Sequence, residues 1–335
     1  MVVLNPITFV WEYTLRCNSL CTHCGSEALN ARDYELNTKE SLDLVDALAE
    51  IGFSKGILSG GEPSLRKDWT QIVDQMIVHN MKWGMISNAL AWSEKTIEDI
   101  VSRQPFAIGF SVDGEQELHD ELRGVPGSHK KIFSEMKKLI YNDTPVCAVT
   151  TVQKSNLDEL SQIRNRLVVY GADAWQIQVA SPMGRMLKEN TLNHEEYKQL
   201  ADFIIETREK LPHMNIQAGD CVGYMGPKEK GLRDYDWHGC QSGIQSIGIE
   251  SDGTIKGCLS MIGGKGVEGN IRKNSLKEIW NNPDNFKYNR DFQLSYLSGE
   301  CKSCDYGSDC RGGCLSQSLA FFDVFHQSPY CLTRE

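Results

Sequence analysis

The sequence predicts an α/β fold built on a parallel sheet, and three features lead to this prediction. Short β-branched or apolar runs alternate with amphipathic helical patterns from about residue 7 to residue 210. Six strand-and-helix pairs follow each other in strict succession. After about residue 212, glycines, turns and cysteines become dense. We therefore expect a parallel sheet over residues 1–212, either open and doubly wound or barrel-like, and a cysteine-rich domain over residues 213–335.

The strand candidates, in chain order, are ITFVWEYTL, KGILSG, KWGMIS, FAIGFSV, VCAVTTV and AWQIQVA. Four helices have starts spaced like a capping box, at Asn37 with Glu40, Asp68 with Gln71, Asn193 with Glu196 and Ser275 with Glu278. The Ser275 helix is the one clear helical pattern after residue 212. A parallel sheet binds its ligands at the carboxyl ends of the strands, so functional residues are expected in the loops that follow them.

Composition narrows the class of function. The net charge of −10 over 335 residues argues against a protein that mainly grips nucleic acid. No run of eighteen apolar residues is present, and the first fifteen residues lack the basic segment of a signal peptide. We therefore expect a cytoplasmic protein with no membrane partner. In that reducing compartment, twelve cysteines are expected to be metal ligands or catalytic thiols rather than disulfides.

The segment RCNSLCTHCGS follows the first predicted strand and contains Cys17, Cys21 and Cys24. The next cysteine in the chain is Cys147, so three thiols stand together without a fourth. Three thiolates hold three corners of a four-iron cluster and leave one iron open to another ligand. The alternative is a zinc site completed by His23 or by a distant residue.

The second predicted strand ends in Ser59, Gly60, Gly61, Glu62 and Pro63. Two glycines allow a ligand to lie against bare backbone amides, and a fixed carboxylate accepts hydrogen bonds from an ammonium group. A strand-to-helix turn often needs glycine for other reasons. The location of this segment, at the same end of the sheet as the three cysteines, makes it a candidate binding turn.

Four segments together resemble the radical S-adenosylmethionine (SAM) enzymes. CNSLCTHC is similar to their CxxxCxxC signature and GGEP to their SAM-binding turn, while FSVDGEQELHDELRGVPGS and QVASPMGR resemble the branch with a SPASM extension. The resemblance implies a partial (β/α)6 TIM-like barrel in which SAM chelates the open iron. It assigns Cys17, Cys21 and Cys24 to the cluster, and it assigns SAM contacts to Gly60, Gly61, Glu62, Ser111 and Arg123. Asn88 is a further candidate, although SNAL has Ala89 where relatives often have glycine.

The remaining cysteines resemble the seven-cysteine SPASM pattern in order and spacing, with Cys240, Cys258, Cys301, Cys304, Cys310, Cys314 and Cys331. The resemblance implies two auxiliary clusters, and hence three [4Fe-4S] clusters in all. It assigns Cys240, Cys258 and Cys314 to the nearer one, with Cys221 as the candidate fourth ligand. The outer one takes Cys301, Cys304, Cys310 and Cys331. A zinc ribbon is the alternative for Cys301 to Cys314, and Cys147 is expected to be a small buried hydrophobe.

Cys221 has two interpretations. As a ligand it closes the nearer cluster, which then serves in electron transfer, and this is the interpretation that we favour. As a free thiol it leaves an iron open to substrate or returns a hydrogen atom to a substrate radical, which would make it a catalytic residue.

The resemblance implies that reductive cleavage of SAM gives a 5′-deoxyadenosyl radical that removes a hydrogen atom from the substrate. We expect a ribosomally made precursor peptide as substrate and a carbon-carbon or thioether crosslink as product.

The implied partners are an electron donor such as flavodoxin or ferredoxin and, because no leader-recognition domain precedes the first strand, a separate leader-recognition protein. The enzymatic alternatives are sulfatase maturation and peptide epimerisation, and the non-enzymatic one is a zinc-binding interaction module. Asp113, His119 and Asp120 are candidate bases, with local turn hydrogen bonds as their alternative role.

Overall fold

A computed structural model describes residues 4–261 and 263–333, and within them one sheet contains ten strands. Seven of these strands are parallel and lie side by side in chain order. They are β1 (Thr8–Glu12), β2 (Lys55–Ser59), β3 (Lys82–Ser87), β4 (Ala107–Ser111), β5 (Val146–Val152), β6 (Ala174–Val179) and β7 (Asn215–Ala218). The first six lie within the predicted runs, so the predicted parallel α/β sheet is confirmed.

The sheet continues on the other side of β1 with strands from the carboxyl-terminal third. These are β8 (Ser246–Ile249), β9 (Thr254–Lys256) and β10 (Val267–Asn270). β8 pairs with β1 in parallel, while β9 and β10 add antiparallel strands beyond it. The predicted domain boundary at residues 212 and 213 therefore falls within a continuous sheet, because β7 and β8 both follow it and both pair with strands that precede it.

In the described ranges, most helices lie between successive strands in the chain, and the last four follow the final strand. They are α1 (Thr38–Ile51), α2 (Trp69–Val78), α3 (Glu94–Ser102), α4 (Gln116–Arg123), α5 (Ser128–Tyr141), α6 (Leu160–Tyr170), α7 (His194–Lys210), α8 (Glu229–Leu232), α9 (Leu276–Asn281), α10 (Lys287–Arg290), α11 (Gly307–Cys310) and α12 (Leu315–Phe322). The capping boxes predicted at Asn37, Asn193 and Ser275 are confirmed. α12 is a second clear helix after residue 212, which the sequence pattern did not predict. No helix in the described ranges is long and apolar enough to cross a bilayer.

One hydrophobic core joins the two parts of the chain. The cluster that contains Phe9, Trp11 and Phe53 also includes Ile247 and Trp280. The Trp280 ring lies 5.1 Å from the Phe53 ring, edge to face. A smaller cluster of Cys240, Met261, Leu315 and Leu319 lies apart from it. The carboxyl-terminal third therefore packs on the first strands rather than forming a large core of its own.

The capping box predicted at Asp68 is wrong, because its carboxylate has other partners. Asp68 accepts hydrogen bonds from Tyr13 Oη at 2.7 Å, from Thr38 Oγ1 at 2.8 Å and from Arg66 Nε at 2.9 Å. It makes no side-chain cap to α2. Burial opposes its ionisation, but the hydrogen bonds from Arg66 and Tyr13 outweigh burial and lower the pKa of Asp68 to about 2.

We expect Asp68→Asn to lower the free energy of unfolding by about 2 kcal/mol at pH 7. A carboxyl whose pKa is lowered by folding stabilises the protein above its unfolded pKa and loses that contribution as the pH falls. Urea denaturation followed by tryptophan fluorescence measures the difference. Asp43→Asn is the matched control, since Asp43 pairs with Lys39 on an exposed helix face and its loss should change the free energy of unfolding far less. Equal losses in the two variants would contradict the role given to Asp68.

Candidate active site

The loop that carries the first three cysteines is fixed by backbone contacts from the turn after β2. The Gly61 amide donates to Thr14 O and the Glu62 amide to Arg16 O, each at 2.8 Å. A Cβ at Gly60 would lie 2.3 Å from Thr14 O, and one at Gly61 would lie 2.2 Å from Arg16 O. The two glycines are therefore needed for backbone to approach backbone, directly before Cys17.

Glu62 is fully buried and joins the ends of β2 and β3. Its Oε1 accepts hydrogen bonds from Ser87 Oγ at 2.7 Å and from Ser64, and its Oε2 accepts one from the Asn88 amide at 2.8 Å. Burial raises the pKa of Glu62, although the hydrogen bonds from Ser64 and Asn88 act in the opposite direction. Glu62 thus lies at the predicted site, with both carboxylate oxygens bonded to the protein. Its contact with the ammonium group of SAM remains a prediction.

Asn88 contacts the cysteine loop directly. Its Nδ2 lies 3.9 Å from Cys17 Sγ and donates to Asn18 Oδ1 at 2.9 Å, while its Oδ1 accepts from the Leu90 amide. The next residue, Ala89, has a φ of +57°, in the left-handed region that favours glycine. The departure from glycine in SNAL is therefore a strained position beside the site. Asn18 carried no signal in the sequence.

The end of β4 brings a buried charged group against the same loop. Ser111 is the last residue of β4 and is largely buried. Two residues on, Asp113 pairs with Arg123, and the His23 Nε2 atom lies 3.1 Å from Asp113 Oδ2. Arg123 Nη1 also donates toward Cys21 Sγ at 3.7 Å. Sequence spacing showed each motif, but it did not show that His23, Asp113 and Arg123 meet.

The other candidate bases in this loop make local hydrogen bonds. Asp120 accepts from the amides of Gly127 and His129, at 2.6 Å and 2.8 Å. His119 Nδ1 accepts from the Asp113 amide at 3.2 Å, and burial together with the nearby Arg123 charge lowers the pKa of His119 to about 3. These contacts match the turn role given as their alternative.

The segment after β6 closes over the cysteine loop from the opposite side. The Arg185 amide donates to Cys24 O at 3.0 Å, and its Nε donates to Cys21 O at 2.8 Å. Gly184 has a φ of +56°, and a Cβ there would lie 2.4 Å from Cys24 O. The sequence analysis assigned no function to the QVASPMGR segment. The structure shows that it holds the cysteine loop in place through hydrogen bonds from Arg185.

Four thiols of the carboxyl-terminal third influence one another electrostatically, and one of them, Cys221, contacts the end of β6. Burial and the neighbouring Cys221 charge raise the pKa of Cys314 to about 12, and burial and the Cys240 charge raise that of Cys258 to about 11. The pKa of Cys240 is raised to about 12 by burial and by Cys314. The Val179 amide donates to Cys221 Sγ at 3.3 Å. Cys221 is therefore near enough to Cys314 for its charge to affect that thiol, and Cys314 is one of the three cysteines predicted for the nearer cluster.

The other four carboxyl-terminal cysteines line a single cavity. Cys301, Cys304, Cys310 and Cys331 line a small pocket of about 10 Å³, together with residues such as Tyr224 and Leu297. Thr333 lies between two of them, with its Oγ1 3.0 Å from Cys331 Sγ and 3.9 Å from Cys304 Sγ. These are the four cysteines predicted for the outer cluster.

Comparison with known proteins identifies the family. Residues 11–167 match the sequence model of the radical SAM superfamily, and residues 240–305 match that of the SPASM iron-sulfur cluster-binding domain. An AdoMet-dependent heme synthase of Methanosarcina barkeri is 27% identical over 98% of this chain and 97% of its own. This chain is a radical SAM enzyme with a SPASM domain. SAM and iron-sulfur clusters are accordingly its cofactors.

Two further proteins are similar to this radical SAM enzyme over most of its length. Mycofactocin maturase of Mycolicibacterium smegmatis is 25% identical over 93% of this chain and 78% of its own. The crystal structure of Streptococcus suis SuiB bound to precursor peptide SuiA superposes with a TM-score of 0.79 at 16% identity, covering 97% of this chain and 76% of that one. The second comparison establishes a shared fold.

The donor sets of the radical SAM enzyme fit multi-iron clusters. In the described ranges, no three His, Cys, Asp or Glu side chains lie close enough to share one metal ion. The thiolates of a four-iron cluster bind different irons, so their sulfurs need not converge on one point. Cys147 lies apart in β5, paired with Ala174, and burial raises its pKa to about 11. Which cysteine binds which cluster remains a prediction.

We expect Gly61→Ala to remove iron from the amino-terminal site and to abolish SAM-dependent changes in the spectrum of the cluster. The added methyl group collides with Arg16 O and must displace the backbone before Cys17. Iron analysis and electron paramagnetic resonance (EPR) with and without SAM measure the effect. Gly264→Ala is the control, because a Cβ there meets open space. A Gly61→Ala protein with full iron and an unchanged response to SAM would contradict this view of the turn.

Proposed function

We propose that this radical SAM enzyme modifies a ribosomally made precursor peptide, forming a carbon-carbon or thioether crosslink. Mycofactocin maturase is similar over most of the chain, and the SuiB structure with a bound precursor peptide has the same fold. The observation that carries the proposal is the set of four thiols that includes Cys221, in which the neighbouring Cys221 charge contributes to the raised pKa of Cys314. Four thiols suffice to fill the nearer cluster, which leaves it the task of receiving an electron. A crosslink made by loss of two hydrogen atoms leaves one surplus electron, which such a cluster can accept.

Three [4Fe-4S] clusters are proposed, held by the three sets of cysteines. Cys17, Cys21 and Cys24 hold the first, and SAM lies against Gly60, Gly61, Glu62, Asn88, Ser111 and Arg123. When bound, the first cluster and SAM supply the radical chemistry that removes a hydrogen atom from carbon. The protein fixes the loop through the amides of Gly61 and Glu62, and it shields the site by burying Glu62, Asn88 and Asp113.

Cys221 is proposed as a ligand rather than as a hydrogen donor. Its loop is held by the buried Arg233, which donates from Nη1 to Gly223 O at 2.9 Å and from Nη2 to Gly219 O at 3.2 Å. A thiol that returns a hydrogen atom must face the substrate. The Cys221 thiol instead lies beside Cys314 and accepts the Val179 amide.

A separate leader-recognition protein and an electron donor such as flavodoxin or ferredoxin are proposed as partners. Strand addition to the sheet is the alternative for peptide binding, and both edge strands have a carbonyl already in use. On β7, Ile216 O accepts from Arg208 Nη1 at 2.6 Å, and on β10, Glu268 O accepts from Asn285 Nδ2 at 3.0 Å. An added strand would have to displace these side chains, which favours a leader bound elsewhere.

A second candidate function is an AdoMet-dependent step of heme synthesis. The observation that favours it is the similarity to the heme synthase of Methanosarcina barkeri, which extends over nearly the full length of both chains. In that case the same electron outlet would serve an oxidation on a tetrapyrrole instead of a peptide.

One prediction of the proposed function concerns the substrate. The reduced enzyme, purified without oxygen, should form 5′-deoxyadenosine with a short peptide encoded beside its gene, and the peptide should lose two hydrogen atoms by mass spectrometry. Cys17→Ala is the control and should give neither product. Turnover of a heme precursor with no change in the peptide would favour the second candidate. A peptide with unchanged mass but an inverted residue would indicate epimerisation.

The second prediction concerns the iron content. Replacing Cys221, Cys258 or Cys304 by alanine should each remove about a third of the bound iron, because each loses one of three clusters of equal size. Cys147→Ala is the matched control and should retain all of it. Iron and sulfide analysis provides the measurement. Full iron in Cys221→Ala would contradict the ligand role and favour hydrogen donation.

A further inference from the structure

A set of three largely buried polar and charged side chains, here called the Arg123 network, lies next to Cys21. It consists of Arg123, Asp113 and His23. One end of the Arg123 guanidinium bonds to the Asp113 carboxylate, and Nη1 at the other points to Cys21 Sγ at 3.7 Å. The Asp113 side chain is 0% exposed and that of Arg123 is 13% exposed, so water screens this charge poorly.

The Arg123 network is held rigidly against the cysteine loop. The carbonyls at the end of α4 accept hydrogen bonds from that loop, with Thr22 N to Leu122 O at 2.9 Å and Ser19 Oγ to Arg123 O at 2.8 Å. Gly124 follows with a φ of +65° and packs on Leu20 O. The position of the guanidinium relative to Cys21 is therefore fixed by the backbone on both sides.

Asp113 is also held by the neighbouring strand β5. Its Oδ1 accepts the Thr151 amide at 2.9 Å, and its Oδ2 faces Arg123 and His23. Burial opposes its ionisation, but the charge of Arg123 holds the pKa of Asp113 well below its usual range. The positive charge of Arg123 thus lies next to Cys21 Sγ, and the negative charge of Asp113 lies on the other side of Arg123.

We propose that Arg123 is a positioning residue that raises the reduction potential of the cluster held by Cys17, Cys21 and Cys24, and that Asp113 limits this effect. A reduced cluster carries one more negative charge than an oxidised one. A fixed cation beside a ligand sulfur therefore stabilises the reduced state, and a nearby anion destabilises it. This role differs from the contact with SAM that the resemblance assigns to Arg123, and it does not depend on the identity of the substrate.

The test is an EPR-monitored redox titration of the full-length enzyme, with variants that change one charge each. Arg123→Gln should shift the potential of the amino-terminal cluster to more negative values, and Asp113→Asn should shift it to less negative values. Arg123→Lys should restore most of the wild-type potential. The cluster is recognised by its response to SAM, after subtraction of the signals of a variant in which Cys17, Cys21 and Cys24 are all alanine.

The matched control for net charge is Arg166→Gln. Arg166 forms a half-exposed ion pair with Glu115 and makes no contact with the cysteine loop in the described structure. It should leave the potential unchanged.

Two results would overturn the proposal. One is a shift of the same sign in Arg123→Gln and Asp113→Asn, which a general loosening of the loop would produce. The other is weaker SAM binding in Arg123→Gln with no change of potential in the absence of SAM, which would assign Arg123 to SAM alone. If Arg123→Gln fails to bind iron, Asp113→Asn decides by itself, because an unchanged or more negative potential there also overturns the proposal.

Discussion

The pairing of β1 with β2 on one side and β8 on the other is the constraint on which the rest of the structure depends. β1 is matched in register to both neighbours along most of its length. It therefore fixes where its following loop, which carries Cys17, Cys21 and Cys24, lies relative to the turn after β2. It also fixes the start of the hairpin that leads to Cys258. A single five-residue strand thus sets the relation between the amino-terminal thiols and the carboxyl-terminal ones.

The thiols of the carboxyl-terminal third contribute to the stability of that region as well as to its chemistry. Its separate hydrophobic cluster contains four buried residues, of which one is Cys240 itself. The outer pocket is lined by four cysteines together with Leu297, Tyr224 and Tyr306. The region also buries side chains such as Ile247 and Phe286 in the main core, but the cluster around Cys240 is small, so metal binding should add to its stability, as it does in small metal-stabilised domains. The contacts between Trp280 and Phe53 then anchor the region to the main core.

Local sequence signals predicted much of this fold and some of the site. The first six strands and three capping boxes were readable because their hydrophobic period and cap residues are local. β7 was missed because NIQA is too short and polar to stand out, and the pairing of β8 with β1 was missed because it joins residues that lie far apart in the chain. The cysteines were found through spacing. The meeting of His23, Asp113 and Arg123 was not, since each residue has an ordinary local role and only the packing of α4 on the cysteine loop brings them together.

The segments that carry Cys221 of the nearer set of thiols and Cys331 of the outer set are joined by buried contacts, and this bears on the proposed route for the surplus electron. Val222, next to Cys221, accepts a hydrogen bond at its carbonyl from the buried Tyr197 hydroxyl. The Tyr197 ring stacks at 4.6 Å on the ring of Tyr330, which precedes Cys331. Both rings are buried, so no solvent layer separates the two sets along this path. An enzyme that only returned a hydrogen atom to its substrate would have no need for an electron to leave through these two sets. The continuous packing from Cys221 to Cys331 is therefore easier to reconcile with a net oxidation, which both the crosslinking and the heme-synthesis proposals require.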